Sequence, residues 1–152
     1  MSNDSEYPER LRELLDTIDT ITDVDERSAL LIDFAERFKS VPPTVAQRPY
    51  PESHRVSFCE SEAYVWGFPQ ADGTLKFHFA VENPSGVSAR ALAAILEKTA
   101  SGAPLRQVAA IGPEIVARVF RQNISMGKGM GLGAMVQMVR SLAAGRGRSP
   151  KP

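Results

Sequence analysis

Cysteine is almost missing from this chain: Cys59 is the only one in 152 residues. No internal disulfide can brace the fold, and any sulfur chemistry falls to one side chain. Histidine is scarce too, with only His54 and His78, and neither CxxC nor HExxH spacing occurs. Zinc sites take three or four His, Cys or carboxylate ligands, so no metal centre is expected. One thiol likewise cannot supply the usual ligand set of an iron–sulfur cluster. Charge of one sign is not in excess, since 18 Lys and Arg balance 18 Asp and Glu. That removes the global electrostatic case for a nucleic-acid or membrane partner. No apolar run approaches the ~18 residues of a transmembrane helix. The opening MSNDSEYPER lacks the basic and apolar regions of a signal peptide. A reducing cytoplasm is the expected compartment, and there Cys59 is a free thiol.

What is present suits one α+β domain over residues 1–152, with a core at about 7–144 and disordered tails at 1–6 and 145–152. The net charge of zero hides an asymmetry. Residues 1–40 carry 11 acids and 5 bases, whereas residues 41–152 carry 7 acids and 13 bases. Solvated helix faces explain this, and so does a polarised surface that orients partner proteins. Leu11, Leu14, Leu15 and Ile18 recur at helix spacing after Tyr7 and Pro8. Asp23, with Glu26 three residues on, caps a second helix that carries Leu30, Leu31, Phe34 and Phe38 and ends near Lys39. The proline-rich VPPTVAQRPYP from Val41 forbids a regular helix and reads as a strap leading to the sheet; a separate proline-rich recognition motif is the lesser alternative.

Three antiparallel strands are expected next. Arg55–Cys59 alternates Val56 and Phe58 against Ser57 and Cys59. Glu62–Pro69 is aromatic-rich, and Ala71-Asp72-Gly73 signals a hairpin. In Thr74–Val81, Leu75, Phe77, Phe79 and Val81 alternate with Lys76, His78 and Ala80, which leaves His78 on the polar face. After Asn83-Pro84-Ser85-Gly86, Ser88 caps a helix to about Thr99 with Leu92, Ile95 and Leu96 inward. Short helices follow from Pro104 and Pro113. The stretch ISMGKGMGLG reads as a loop before a last helix carrying Leu132, Met135, Val136, Val139 and Leu142. Its glycines sit where an anion can meet a helix N-terminus. The order is not GxxxxGK[ST], however, and a tight connection allowing close backbone packing accounts for them as well.

Cys59 admits two readings. Buried cysteine is a common small hydrophobe. Against that, it ends an expected strand, alternates with Ser57, and precedes the polar Glu60-Ser61-Glu62. Those features predict a thiol near the surface at a strand-to-strand connection. A thiol of pKa ~8.5 is only a few per cent thiolate at neutral pH, so reactivity needs help. Turn N–H groups, His54, or a base such as Lys128 or Arg27 are candidates, while Glu60 and Glu62 oppose them. A small enzyme pairing Cys59 with His54 on a carbon substrate is a further possibility.

Longer motifs match a known family. The run VSFCESEAYVW with its flanks resembles the SufE family of sulfur-acceptor proteins, which includes CsdE, over about residues 11–144. Asp25-Glu26-Arg27 followed by Leu30, Leu31, Ile32 and Asp33 is similar to the family's second helix, and Val41-Pro42-Pro43 to its proline turn. Cys59-Glu60-Ser61-Glu62-Ala63-Tyr64 occupies the Cys-x-Ser-x-Val-Trp motif. Ile124-Ser125 through Gly131-Leu132, then Ala134-Met135, resembles Leu-Ser-x-x-Arg-x-x-Gly-Leu-x-Ala-Met. Phe58 stands where the family usually has Gly, Tyr64 replaces the motif Trp, Lys128 the usual Arg, and Met130 a frequent Asn. The resemblance implies a SufE/NifU-like fold, with a three-stranded antiparallel sheet packed against helices from both ends of the chain. It implies that Cys59 accepts persulfide sulfur from a pyridoxal-phosphate cysteine desulfurase of SufS or CsdA type and relays it to an iron–sulfur scaffold of SufBCD type. No cofactor of its own is expected, and the protein would be a monomer or weak dimer. Ser61 is then a loop organiser and Lys128 a charged neighbour. A non-catalytic regulator of a desulfurase is the alternative.

Overall fold

The computed structural model describes residues 6–121 and 124–146. Of the expected disordered tails, at 1–6 and 145–152, all but residues 6, 145 and 146 lie outside the described residues. Helix α1 (Glu9–Thr20) starts just after Pro8 and buries Leu11, Leu15 and Ile18, the stripe its apolar spacing predicts. Helix α2 (Val24–Arg37) is capped as expected: the Asp23 carboxylate accepts the Glu26 N–H at 3.0 Å. That cap satisfies one of the donors left over at a helix start, an effect of about 1 kcal/mol.

Strands β1 (Ala63–Pro69) and β2 (Leu75–Val81) form an antiparallel pair, with Trp66 opposite His78 and Ala63 opposite Val81. Gly73, at φ +86°, turns the hairpin. Asp72 braces it by accepting from both the N–H and the hydroxyl of Thr74. One face of the pair presents Ala63, Val65, Leu75, Phe77, Phe79 and Val81 to the main core. Two strands cannot shelter themselves, so each face needs a cover. Helix α3 (Val87–Ala100) covers the first, burying Leu92, Ile95 and Leu96 while its alanines allow close approach to β2, α1 and α2. Each of those three side chains contributes roughly 2 kcal/mol by leaving water. The proline strap covers the second face, where Val41, Val45, Ala46 and Tyr50 pack on Tyr64, Trp66 and Ala80. The Val41 N–H donates to the Phe79 carbonyl at 2.8 Å, which ties the strap to β2.

Helices α4 (Leu105–Ala109), α5 (Ile115–Phe120) and α6 (Met126–Ala143) complete the described chain. In α6 the residues Leu132, Met135, Val136, Val139 and Leu142 are buried, the face the pattern predicts.

Three expectations need correction. The sheet has two strands among the described residues, not three. Arg55 makes only an isolated bridge to Tyr64, and the Val56 N–H donates to the Ala63 carbonyl. Beyond Val56 the chain peels away because Phe58 takes the left-handed conformation, at φ +59°, which no strand accommodates. The glycine-rich stretch is no loop either. Helix α6 begins inside it, with Ser125 accepting the Lys128 N–H, and tertiary packing overrides the ~1 kcal/mol that each interior glycine costs. Ser88 does not cap α3, since Gly86 occupies that position without a side-chain bond. His78 is half-buried, edge-on to the Phe68 ring at 5.8 Å, and burial chiefly pushes its pKa down, with Lys76 adding to the effect.

The buried Tyr7 ring joins the two ends of the helical layer, donating its O–H to Glu114 at 2.6 Å. That bond favours the charged carboxylate and holds its pKa below the ordinary Glu value,. A depressed carboxyl adds stability that is fully present above its unfolded pKa and is lost as pH falls through the folded one. Tyr7→Phe should therefore destabilise by about 1 kcal/mol near neutrality. The gap to wild type should narrow from about pH 5 downward, where Glu begins to protonate in the unfolded chain. Urea melts between pH 3 and pH 7 measure this, and a gap constant across that range refutes it.

Candidate functional site

The Cys59 segment is built as an excursion pinned on three sides. At its base, Val56 is buried and bonded to Ala63. At its far end, the Glu62 N–H returns to the Cys59 carbonyl at 3.2 Å, with Glu62 also left-handed at φ +52°. Chain leaving β2 holds the second side: the Glu82 and Asn83 N–H groups donate to the Glu62 and Ser61 carbonyls, each at 3.1 Å. Arg90 steadies that chain in turn by donating to the carbonyls of Pro84 and Asn83 at 2.7 and 3.0 Å.

Glycine makes the remaining contacts possible. A Cβ at Gly131, in α6, would lie 2.9 Å from the Phe58 carbonyl oxygen and 3.0 Å from the Cys59 Cα. A Cβ at Gly86 would lie 2.8 Å from the Ser61 hydroxyl oxygen. Both backbones thus sit closer to the cysteine turn than any side chain permits.

Cys59 is a free, half-buried cysteine. On one side lies a cavity of about 180 Å³ lined by Cys59, Ser61, Asn83, Ser88, Lys128 and Leu132 among others. A more open depression of about 670 Å³ lies on the other side, bordered by Glu52, Arg55, Val56, Phe58, Cys59 and Met130. The structure therefore brings Cys59, Ser61 and Lys128 to one cavity, although Lys128 is far away in sequence. The first turns of α3 and α6 contribute Val87, Ser88, Gly127 and Lys128 to its wall. Helix starts and a lysine both favour an anion there, and Glu60 opposes them.

Other expected neighbours stand elsewhere. The His54 ring stacks on Trp66 at 5.3 Å, and its Nδ1 lies 2.9 Å from the Val65 carbonyl oxygen. It borders neither depression beside Cys59. Arg27 is buried in α2 and donates to the Ile21 carbonyl. Tyr64 packs under the strap, 5.2 Å from Tyr50. Cys59 sits on an irregular turn rather than at the end of a strand. Among the described residues no group of three His, Cys, Asp or Glu could hold a metal ion. No helix among them is long and apolar enough to cross a membrane.

Three positioning residues escaped the sequence: Gly86, Arg90 and Gly131. The NPSG turn and the glycine run were visible signals, but neither says which glycine meets the cysteine. Arg90 carried no signal at all. Phe58 is different, because a bulky residue in the left-handed region is an outlier costing on the order of 1–3 kcal/mol. The family that the sequence resembles usually has a glycine there, the residue that adopts this conformation without penalty.

With the geometry in hand, comparison with known proteins is specific. A family model described as SufE, Fe-S metabolism associated domain, matches residues 12–143. The solution structure of a hypothetical protein from Thermus thermophilus superposes with a TM-score of 0.71 at 19% identity. The alignment covers 91% of this chain and 96% of that one, which shows a shared fold. No curated protein matches the sequence.

Two alanine substitutions in α6 test the cradle. Gly129 has only an ordinary 3.7 Å contact waiting for a Cβ, so Gly129→Ala should stabilise by about 0.5–1 kcal/mol through helix propensity. Gly131→Ala has the same propensity gain but should lose about 1–3 kcal/mol to overpacking. Their melting temperatures should move in opposite directions, by about 2–4 °C per kcal/mol. Equal upward shifts would refute the close packing.

Proposed function

The chain belongs to the SufE family of Fe-S metabolism associated domains, and from that premise we propose that it is a sulfur acceptor in iron–sulfur cluster assembly. Cys59 takes sulfur from the persulfide of a pyridoxal-phosphate cysteine desulfurase and relays it to a cluster scaffold. The observation that carries this reading is the position of Cys59 between a sheltered cavity and an open approach. A relay thiol needs both: access for the exchange, and shelter for the sulfur afterwards.

The chemistry balances without an oxidant. The Cys59 thiolate, its proton given to solvent or a base, attacks the terminal sulfur of the donor persulfide. A new S–S bond forms at Cys59, the donor's S–S bond breaks, and the donor leaves as a thiolate. Such exchange follows thiolate character, leaving-group pKa and access. A lone cysteine suits the task, because no second thiol in the chain can resolve the persulfide into an internal disulfide. Lys128 supplies positive charge at the cavity wall, and Ser61 organises the turn through its carbonyl bond to Asn83.

A small enzyme pairing Cys59 with His54 is disfavoured by the engagement of His54 with Trp66 and Val65. Incubation with a cysteine desulfurase and 35S-cysteine tests the relay. Label should appear on the wild type, resist desalting, leave with a reductant, and be absent from Cys59→Ser. Binding without label would favour a regulatory role instead.

A further inference from the structure

Six large apolar side chains are exposed among the described residues; three of them line the hollows beside Cys59, and a fourth adjoins a glycine that does. Phe58 and Val87 line the sheltered cavity, and Met130 borders the open depression. Met126, 87% exposed, precedes Gly127, which lines both. Scattered apolar residues on a surface need no explanation, but a cluster of them beside one nucleophile does.

Phe58 is the extreme case. It is 74% exposed and left-handed, at φ +59°. Its backbone cannot swing inward, because its carbonyl packs against Gly131. Two penalties, strain and a hydrated aromatic ring, fall on the residue next to the thiol. Strain of this kind persists only where the surroundings impose it, and it gathers at functional positions.

We propose that this rim is the seat of the sulfur-donating protein, and that Phe58 is the side chain by which the donor is recognised. The inference rests on the sulfur-acceptor reading above. Sulfur passes only when the donor's persulfide touches the Cys59 sulfur, so a donor must cover the turn that carries it. Phe58, one residue away and pointing out, is then buried against the donor or blocks it. The donor that fits has an apolar recess beside its persulfide cysteine, deep enough for an aromatic ring. Val87, Met126 and Met130 close around that contact; flexible methionines adapt to an irregular surface. Glu52, Arg55, Glu60 and Lys128 form a polar rim of mixed sign, which suits an interface with an apolar centre. A donor built for the glycine usual in the family lacks such a recess and meets the ring as a clash, so Phe58 selects as well as binds.

Steady-state sulfur transfer from a desulfurase of the source organism, with the full chain titrated, tests the assignment. Phe58→Ser should raise the half-saturating concentration about tenfold or more, as loss of an aromatic anchor does, while the maximal rate is retained. Phe58→Leu, which keeps an apolar anchor, should stay within about threefold of wild type. Ile32→Ser, the same change of polarity on exposed α2 surface, should leave half-saturation unaltered. If Phe58→Ser half-saturates like wild type, the docking assignment is overturned while the relay stands. A wild-type dimer that Phe58→Ser dissolves, with transfer unaffected, assigns the rim to a second copy and overturns it too. Should the wild type accept no label from any donor, the relay reading fails and takes this proposal with it.

Discussion

The approach of α6 to the cysteine turn, backbone against backbone at Gly131, is the constraint on which the functional face depends. It fixes where the thiol sits, because the Cys59 Cα has no room to move toward the helix. It fixes the depth of the cavity on one side and the openness of the depression on the other. It also fixes the outward direction of Phe58, whose carbonyl lies against the same glycine. A methyl group at this one position would disturb all three, since close-packed interiors transmit small displacements rather than absorb them.

A small sheet stands behind that arrangement. Two strands expose two faces, and the chain covers one with the alanine-rich α3 and the other with a proline strap. The same elements carry the site. The first turn of α3 forms part of the cavity wall, and the chain entering it holds the cysteine turn through Glu82 and Asn83. Core and site are thus not separable layers. A shift of α3 on the sheet would be felt at Cys59 through the residues 82–86 that join them, which Arg90 props from within α3.

Parts of the fold written in local pattern were readable in advance. The Asp23 cap, the period-two alternation of Leu75–Val81, the Asp72-Gly73 turn and the buried face of α6 all depend on residues a few positions apart. Their physics is local: hydrogen-bond capping, side-chain period and positive φ at glycine. The failures share a different cause. Arg55–Cys59 alternates like a strand, yet its fate was decided by contacts with Gly131, far along the chain. The run from Gly127 to Gly133 looks like a loop by composition, yet its four glycines became helix because that helix packs on the cysteine turn and the core.

By itself, then, the sequence determined the family, the helical and strand register of the strongly periodic segments, and the identity of the one available nucleophile. Those follow from residue type and short spacing. Only the tertiary structure decided that Cys59 stands between a sheltered cavity and an open approach, that His54 and Arg27 are elsewhere, and that Phe58 is held out into solvent. Each of these results from a long-range contact, chiefly at Gly86 and Gly131, and the reason is steric. Glycine's missing Cβ permits a close approach without saying, in the sequence, which backbone will use it.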